Sequence, residues 1–221
     1  MSSTLKTVLF DVDGTLVDSN DAHAAAWVKA FEGFGVNVDP VEVRRCIGMG
    51  GDKLMPRVSG IEEESPLGSK IAERRGKLFR SEFLPTLQPF RDSDRLVAAV
   101  KQLRLTAVAA SSAQEDELKE LLKIAGAESL MDAQTSSDDA DQSKPAPDII
   151  HAALQRANAT PAEAVMIGDT PYDVAAARKA GVRVVAFRSG GWLDPDLVGA
   201  IEIYDGPWDL LENIERSILT I

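Results

Sequence analysis

Cys46 is the chain's only cysteine. A single thiol cannot close an intramolecular disulfide, so no disulfide framework supports the fold, and the composition suits a reducing, cytoplasmic setting. Positive charge is also in short supply. Lys and Arg number 24 against 35 Asp and Glu, for a formal net charge of -11. A surface of that sign repels nucleic-acid phosphates and anionic lipid, which argues against either as a partner. Long apolar runs are missing: none approaches the ~18 to 20 residues a membrane span needs. Residues 1–7 carry one Lys and no apolar stretch, so they do not read as a secretory leader. Aromatic residues are few, at 5%, yet 44% of the 221 residues are hydrophobic, enough for one large domain or two modest ones. There is no internal repeat and no low-complexity segment. The polar, acidic stretch 136–143 reads as a loop.

What is present alternates between two rhythms. Residues 7–10 form a short apolar run that stops at Asp11, with Gly14 close behind, which predicts a buried strand ending in a turn. Over residues 21–35 apolar positions recur at helical spacing (Ala24, Trp27, Val28, Phe31 and Phe34), with Gly33 or Gly35 as the stop. Short helices are expected at 41–47 and 54–58, around the turn Gly48-Met49-Gly50-Gly51, and a longer basic one at 71–83. Beyond Pro85 and Pro89, helices are expected at 94–103, 115–125, 147–158 and 174–180. Strands are expected at 106–110, 129–133, 164–167, 182–187 and 201–204. Strands alternating with helices of this length predict an α/β fold, a Rossmann-like parallel sheet with helices on both faces. Residues 18–88 lack a strand signal and read as a helical insertion, leaving 1–17 and 89–221 as the α/β core.

Ligands of an open parallel sheet lie beyond the carboxyl ends of its strands. Asp11 and Asp13 follow the first strand, and Ser111 and Ser112 the second. Lys144 stands before the strand at 164, and Asp169 and Asp173 after it. Clustered carboxylates repel one another unless a cation sits among them, and hard oxygen donors suit Mg²⁺. Mg²⁺ beside an ammonium and a hydroxyl makes a cradle for a phosphoryl group. A carboxylate can attack phosphorus, and a second acid two residues on, projecting to the same side, can serve as general acid/base. Each residue has a plainer reading beside this one. Asp11, Asp13 and Asp169 could be turn residues, Lys144 a surface charge, and Ser111 or Asp173 helix N-caps.

The segment Asp11-Val12-Asp13-Gly14-Thr15-Leu16-Val17-Asp18-Ser19 resembles the first motif of the haloacid-dehalogenase-like phosphatases. Ser111 after its strand resembles the second motif, Lys144-Pro145 the third, and Gly168-Asp169-Thr170-Pro171-Tyr172-Asp173 the fourth. The resemblance implies Asp11 as nucleophile and metal ligand, and Asp13 as acid/base that binds metal through its backbone carbonyl. Ser111 and Lys144 would hold phosphate, with Ser112 as the alternative. Asp169 would bind metal, and Asp173 would support it directly or through a neighbour. The insertion at 18–88 resembles the family's small cap, whose closure would exclude water and set substrate choice, with hinges near 17–20 and 84–90. His23 and Lys53 are its candidate substrate contacts, beside the plainer readings of a packed helix residue and a solvated lysine. The loop Ser189-Gly190-Gly191-Trp192 is expected to line the cleft or to be a turn with a packed Trp.

The expected function is a Mg²⁺-dependent phosphatase of a small phosphorylated metabolite such as a sugar phosphate or phosphoglycolate, as a monomer or weak homodimer. Asp13 departs from the dehalogenase and phosphonate-hydrolase branches, which lack the second acid. A phosphomutase resembling beta-phosphoglucomutase is the alternative, disfavoured because its fourth motif reads Glu-Asp without a second downstream Asp. A phosphorylated receiver domain, a non-enzyme with a similar set of acids, has no insertion after its first strand.

Overall fold

A computed structural model of the protein describes residues 5–220. The first four residues of the segment read as lacking a leader lie outside them. The chain forms two compact units: the first runs to Asp18 and resumes at Gln88, and the second is Ser19–Leu87.

The first unit is built on a six-stranded parallel sheet. In chain order its strands are β1 (Thr7–Phe10), β2 (Thr106–Ala110), β3 (Ala133–Thr135), β4 (Ala164–Gly168), β5 (Arg183–Phe187) and β6 (Glu202–Tyr204), and in space they run β3-β2-β1-β4-β5-β6. β1 and β4 are buried at every position, because each lies between strands and beneath helices on both faces. Each fully buried aliphatic side chain there contributes about 1.5–3 kcal/mol. Leu9, Val108, Met166 and Val184 pack with the inward faces of two helices, Asp148–Arg156 and Pro171–Lys179. The register pairs Phe10 with Ala109 on one side and with Ile167 on the other. Asp11, Ser111 and Asp169 therefore emerge at one sheet edge. The strand order reverses between β1 and β4, and a crevice opens at such a point.

In the second unit the helices are α1 (Asn20–Glu32), α2 (Pro40–Cys46), α3 (Gly51–Ser59) and α4 (Pro66–Leu78). Ala24, Trp27, Ala30 and Phe31 of α1 bury their shared stripe against Val43 and Cys46 of α2, Leu54 and Met55 of α3, and Ile71 of α4. α1 stops at Gly33; Gly35, two residues on, takes a positive φ of 71°. The remaining helices, in the first unit, are α5 (Ser93–Gln102), α6 (Glu115–Ile124), α7 (Asp148–Arg156), α8 (Pro171–Lys179) and α9 (Pro207–Glu212). The two passages of chain at the boundary of this unit are laced together: Asp18 N–H donates to the Gln88 carbonyl at 3.0 Å and Phe90 N–H to that of Leu16 at 3.0 Å.

Four expectations shift. The strand expected at 129–133 is a 3-10 turn, Glu128–Leu130, followed by β3 at Ala133–Thr135; β3 takes its place from pairing with β2, not from an apolar pattern of its own. α4 starts at Pro66 rather than residue 71, because the Ser65 hydroxyl caps it by accepting from Gly68 N–H at 3.0 Å, and it gives way to a π-helical turn at Phe79–Phe83. α8 starts at Pro171 rather than residue 174, capped by Thr170. α9 had no counterpart in the sequence reading. Among the described residues, no helix is long and apolar enough to cross a membrane.

Candidate active site

β1 ends because Asp11 begins a turn: its N–H still donates to the Ile167 carbonyl at 2.9 Å, but Gly14 then takes φ 74° and the chain folds back. The Asp11 side chain is left at the sheet edge, 6% exposed. Lys144, 1% exposed, reaches the same point from the loop before α7. Its Nζ lies 2.6 Å from Asp11 Oδ1 and 2.8 Å from Asp173 Oδ1, and donates to the Ala110 carbonyl at 3.0 Å. Carboxylate oxygens of Asp11, Asp169 and Asp173 lie within 4.8 Å of one another, and all three residues are buried. This triad of hard donors could hold a metal ion.

Three buried carboxylates facing one ammonium carry two negative charges more than they can neutralise, a costly state in a low-dielectric setting. The protein resolves part of it by protonation. Burial, reinforced by Asp173 and Asp13, pushes the Asp11 carboxyl up from 3.8 to about 7 despite the opposing pull of Lys144. Burial works against the charge on Lys144, but Asp11 and Asp173 outweigh it and raise its pKa.

A raised carboxyl means that the folded chain keeps, between about pH 4 and 7, a proton that the unfolded chain releases. Stability tied to Asp11 is therefore present at the acid end of that window and is lost as pH rises through it. A bound cation displaces the proton. The melting temperature of the metal-free protein should fall between pH 5 and 8, and a divalent cation should raise it more at pH 8 than at pH 5. Calorimetric melts at both values check this; a cation effect independent of pH would overturn the assignment of the proton to Asp11.

The other predicted residues fall in different places. Asp13 is half-buried in the turn after β1, close enough that its charge raises Asp11. Ser111 is fully buried, and its hydroxyl accepts from Ala113 N–H at 3.0 Å, in a local turn rather than a helix cap, since Gln114 precedes α6. The Ser112 hydroxyl is shielded from solvent without a hydrogen-bond partner. Asp173 fills two roles. Its Oδ2 accepts from Thr170 N–H at 3.0 Å and Thr170 Oγ1 at 2.7 Å in the capping box of α8, while Oδ1 meets Lys144. His23 and Lys53 belong to the helical unit. His23 is buried there, stacked on Phe79 with ring centroids 4.0 Å apart, and bonded to Arg75. Lys53 is half-exposed, 3.6 Å from Asp52.

Thr15 joins the site although it is not among the residues expected there from the sequence. Its hydroxyl bridges the acids, 2.9 Å from Asp169 Oδ1 and 3.3 Å from Asp11 Oδ2. Its spacing of four from Asp11 within the first motif was the available signal. Gly168, which in the sequence stands where the phosphomutase pattern has Glu, also shapes the site. A Cβ there would sit 2.7 Å from both Cβ and Cγ of Asp173, so the absent side chain is what lets Asp173 reach Lys144.

The family model described as haloacid dehalogenase-like hydrolase matches residues 8–187. A validoxylamine A 7'-phosphate phosphatase from Streptomyces hygroscopicus subsp. limoneus is 27% identical over 180 residues, covering 80% of this chain and 83% of its own. A phosphoglycolate phosphatase from Aquifex aeolicus is 27% identical over 184 residues, covering 81% and 83%. The crystal structure of a hydrolase from Pseudomonas syringae superposes with a TM-score of 0.88 at 26% identity, over 96% of this chain and 98% of that one.

Proposed function

The chain belongs to the haloacid dehalogenase-like hydrolases and acts on phosphate monoesters, and we propose that it hydrolyses a small phosphorylated metabolite with Mg²⁺ through an aspartyl-phosphate on Asp11. The observation that carries this reading is the buried cluster of Asp11, Asp169 and Asp173 around Lys144. An Oδ of Asp11 attacks phosphorus, and the bond from phosphorus to the leaving oxygen breaks. Asp13 gives that oxygen its proton. Asp13 then takes a proton from a water that attacks the phosphorus, and inorganic phosphate leaves as Asp11 is restored. Lys144 holds the transferring group and offsets its charge. The shielded Ser112 hydroxyl, with Ser111 beside it, is the donor this reading places on the phosphoryl oxygens. Mg²⁺ fits a donor set of hard carboxylate oxygens, from Asp11, Asp169 and Asp173 with the Asp13 backbone carbonyl. Bound there, it supplies positive charge that offsets the repulsion between nucleophile and phosphate.

Gly168 supports hydrolysis over phosphomutation. A Glu at this position, as in the mutase pattern, would have to occupy space that Asp173 fills. The helical unit is assigned the part of the cap, with His23 and Lys53 as its substrate-selecting residues. The metabolite is of the sugar-phosphate or phosphoglycolate type, and the protein works in the cytoplasm as a monomer or weak homodimer.

A panel of phosphorylated metabolites assayed with Mg²⁺ and with EDTA tests the activity. Asp13→Ala is expected to lower turnover by about 10²- to 10⁴-fold, the usual contribution of general acid/base catalysis. Its Mg²⁺ affinity should stay near wild type, because the ligand from this residue is a backbone oxygen. Activity that EDTA leaves intact, or a variant that loses metal instead of turnover, would reject the assignment.

A further inference from the structure

We infer that the turn Arg188–Gly190, directly after β5, is a positioning device for Asp169, and that Ser189 and Gly190 are positioning residues for the reaction. The inference rests on the reading of Asp169 as a metal ligand. None of the four motifs includes this turn.

Asp169 needs holding. It lies beside two other carboxylates, and repulsion would swing a freely rotating Asp out of the cluster. Thr15 fixes one of its oxygens, donating to Oδ1 at 2.9 Å. The other oxygen faces Gly190. A Cβ built on Gly190 would stand 1.8 Å from Asp169 Oδ2, 2.7 Å from Cγ and 2.8 Å from Cβ. Gly190 is buried, and its φ lies outside the left-handed region, so close approach alone demands glycine here. The main chain of the turn thus forms one wall of the slot in which the Asp169 carboxylate stands, and Thr15 forms the other.

The turn is itself anchored on the loop that carries the nucleophile. Ser189 Oγ donates to the Gly14 carbonyl at 2.7 Å, in the tight turn between Asp11 and Thr15. This bond spans 175 residues of sequence and ties the end of β5 to the end of β1. Behind it, Arg188 grips Asp194 through Nε at 2.6 Å and Nη2 at 3.0 Å, and Asp205 through Nη1 at 2.7 Å. Gly191, at φ 85°, closes the turn with its N–H on the Arg188 carbonyl at 2.9 Å. The chain of contacts runs from Arg188 through Ser189 to Gly14, and from Gly190 to Asp169. A shift of the turn would move the slot of Asp169 and the loop of Asp11 together. An error of about 1 Å in such a constellation can cost on the order of 10² in rate.

Gly190→Ala, Ser189→Ala and Ser189→Thr in the full chain test this. Mg²⁺ affinity is measured by calorimetry on EDTA-treated, dialysed protein, beside the metal-free melting temperature and turnover of p-nitrophenyl phosphate. Gly190→Ala is expected to weaken Mg²⁺ binding at least tenfold. Ser189→Ala is expected to keep the metal-free melting temperature within a few degrees of wild type. It should weaken Mg²⁺ binding severalfold and lower kcat with KM unchanged, and Ser189→Thr should recover both. Should Gly190→Ala fail to fold, the Ser189 pair decides alone. Variants that bind Mg²⁺ as tightly as wild type would overturn the inference and reduce the turn to packing. Wild-type protein that binds no Mg²⁺ at all would instead reject the metal-dependent reading on which the inference stands.

Discussion

Asp11→Asn should abolish turnover, by at least about 10⁴-fold on the scale of other lost nucleophiles, and should leave the fold intact. An amide has the shape of a carboxyl but no anionic oxygen to attack phosphorus. The structural consequences run the other way. The Asn carbonyl oxygen can still accept from Lys144 Nζ, which in the wild type lies 2.6 Å from Asp11 Oδ1. The substitution removes a buried carboxylate whose ionisation burial opposes, and which titrates at about 7 rather than 3.8. At pH 8 the metal-free wild type carries that charge and the variant does not, so the variant should melt at the same temperature or higher. At pH 5 Asp11 is protonated in the folded wild type but already ionised in the unfolded chain, so the difference should be much smaller than at pH 8 without vanishing. Activity assays with Mg²⁺ and melts in EDTA at both pH values separate loss of chemistry from loss of fold. A variant that keeps wild-type turnover would refute Asp11 as nucleophile. One that is inactive because it melts much lower at pH 8 would refute the electrostatic account.

The parts of this site differ in how far they could be read from the sequence. β1 and β2 were legible to the residue because each is a short apolar run that stops at Asp or Ser. β3 was not: Ala133-Gln134-Thr135 is a half-buried strand at the sheet edge, with no alternation to mark it, and its place depends on the backbone of β2. The start of α8 was missed although its signal was present. Thr170-Pro171-Tyr172-Asp173 is a capping box with proline at the first helical position. The cap itself is Thr170, so Asp173, expected as an N-cap, stands at N3, where one oxygen serves the helix and the other meets Lys144. The gathering of Asp11 and Asp169 follows from β1 and β4 being neighbouring parallel strands, with Asp173 in the first turn of the helix after β4, whereas Lys144 arrives from the loop before α7. Thr15's contact with Asp11 lies within the first motif, but its bond to Asp169 and the close approach of Gly190 to Asp169 are contacts across 154 and 21 residues of sequence, and no local pattern encodes those two.

Lys144→Met should affect stability more than any other single change at the site. Lys144 faces Asp11 and Asp173 with 1% of its side chain exposed. Without its ammonium, three acids would share a buried space with no positive partner. Removing one member of a buried ion pair typically costs about 3–5 kcal/mol, because the charge left behind is unsolvated. The pKa of Lys144 is raised by its partners, so its stabilising contribution is complete below the ordinary value of 10.5, and nothing of it titrates near neutrality. The pH dependence of the variant would therefore come from the acids. Asp11 is the acid concerned, and its protonation becomes still easier without the lysine that opposes it. Metal-free Lys144→Met should be much less stable than wild type at pH 7.5 and should regain most of the loss by pH 5. Its stability should fall more steeply with pH than that of wild type. A divalent cation should restore part of the stability by taking over the missing charge, but phosphatase activity should remain about 10²- to 10³-fold low, the usual effect of losing one preorganised charge donor. Lys144→Arg should not rescue it, since a planar guanidinium cannot enter a slot shaped for a linear ammonium chain. Denaturant melts of both variants across pH, with and without Mg²⁺, give the answer. A methionine variant as stable as wild type at pH 7.5 in EDTA would show that the three carboxylates do not repel one another as their burial requires.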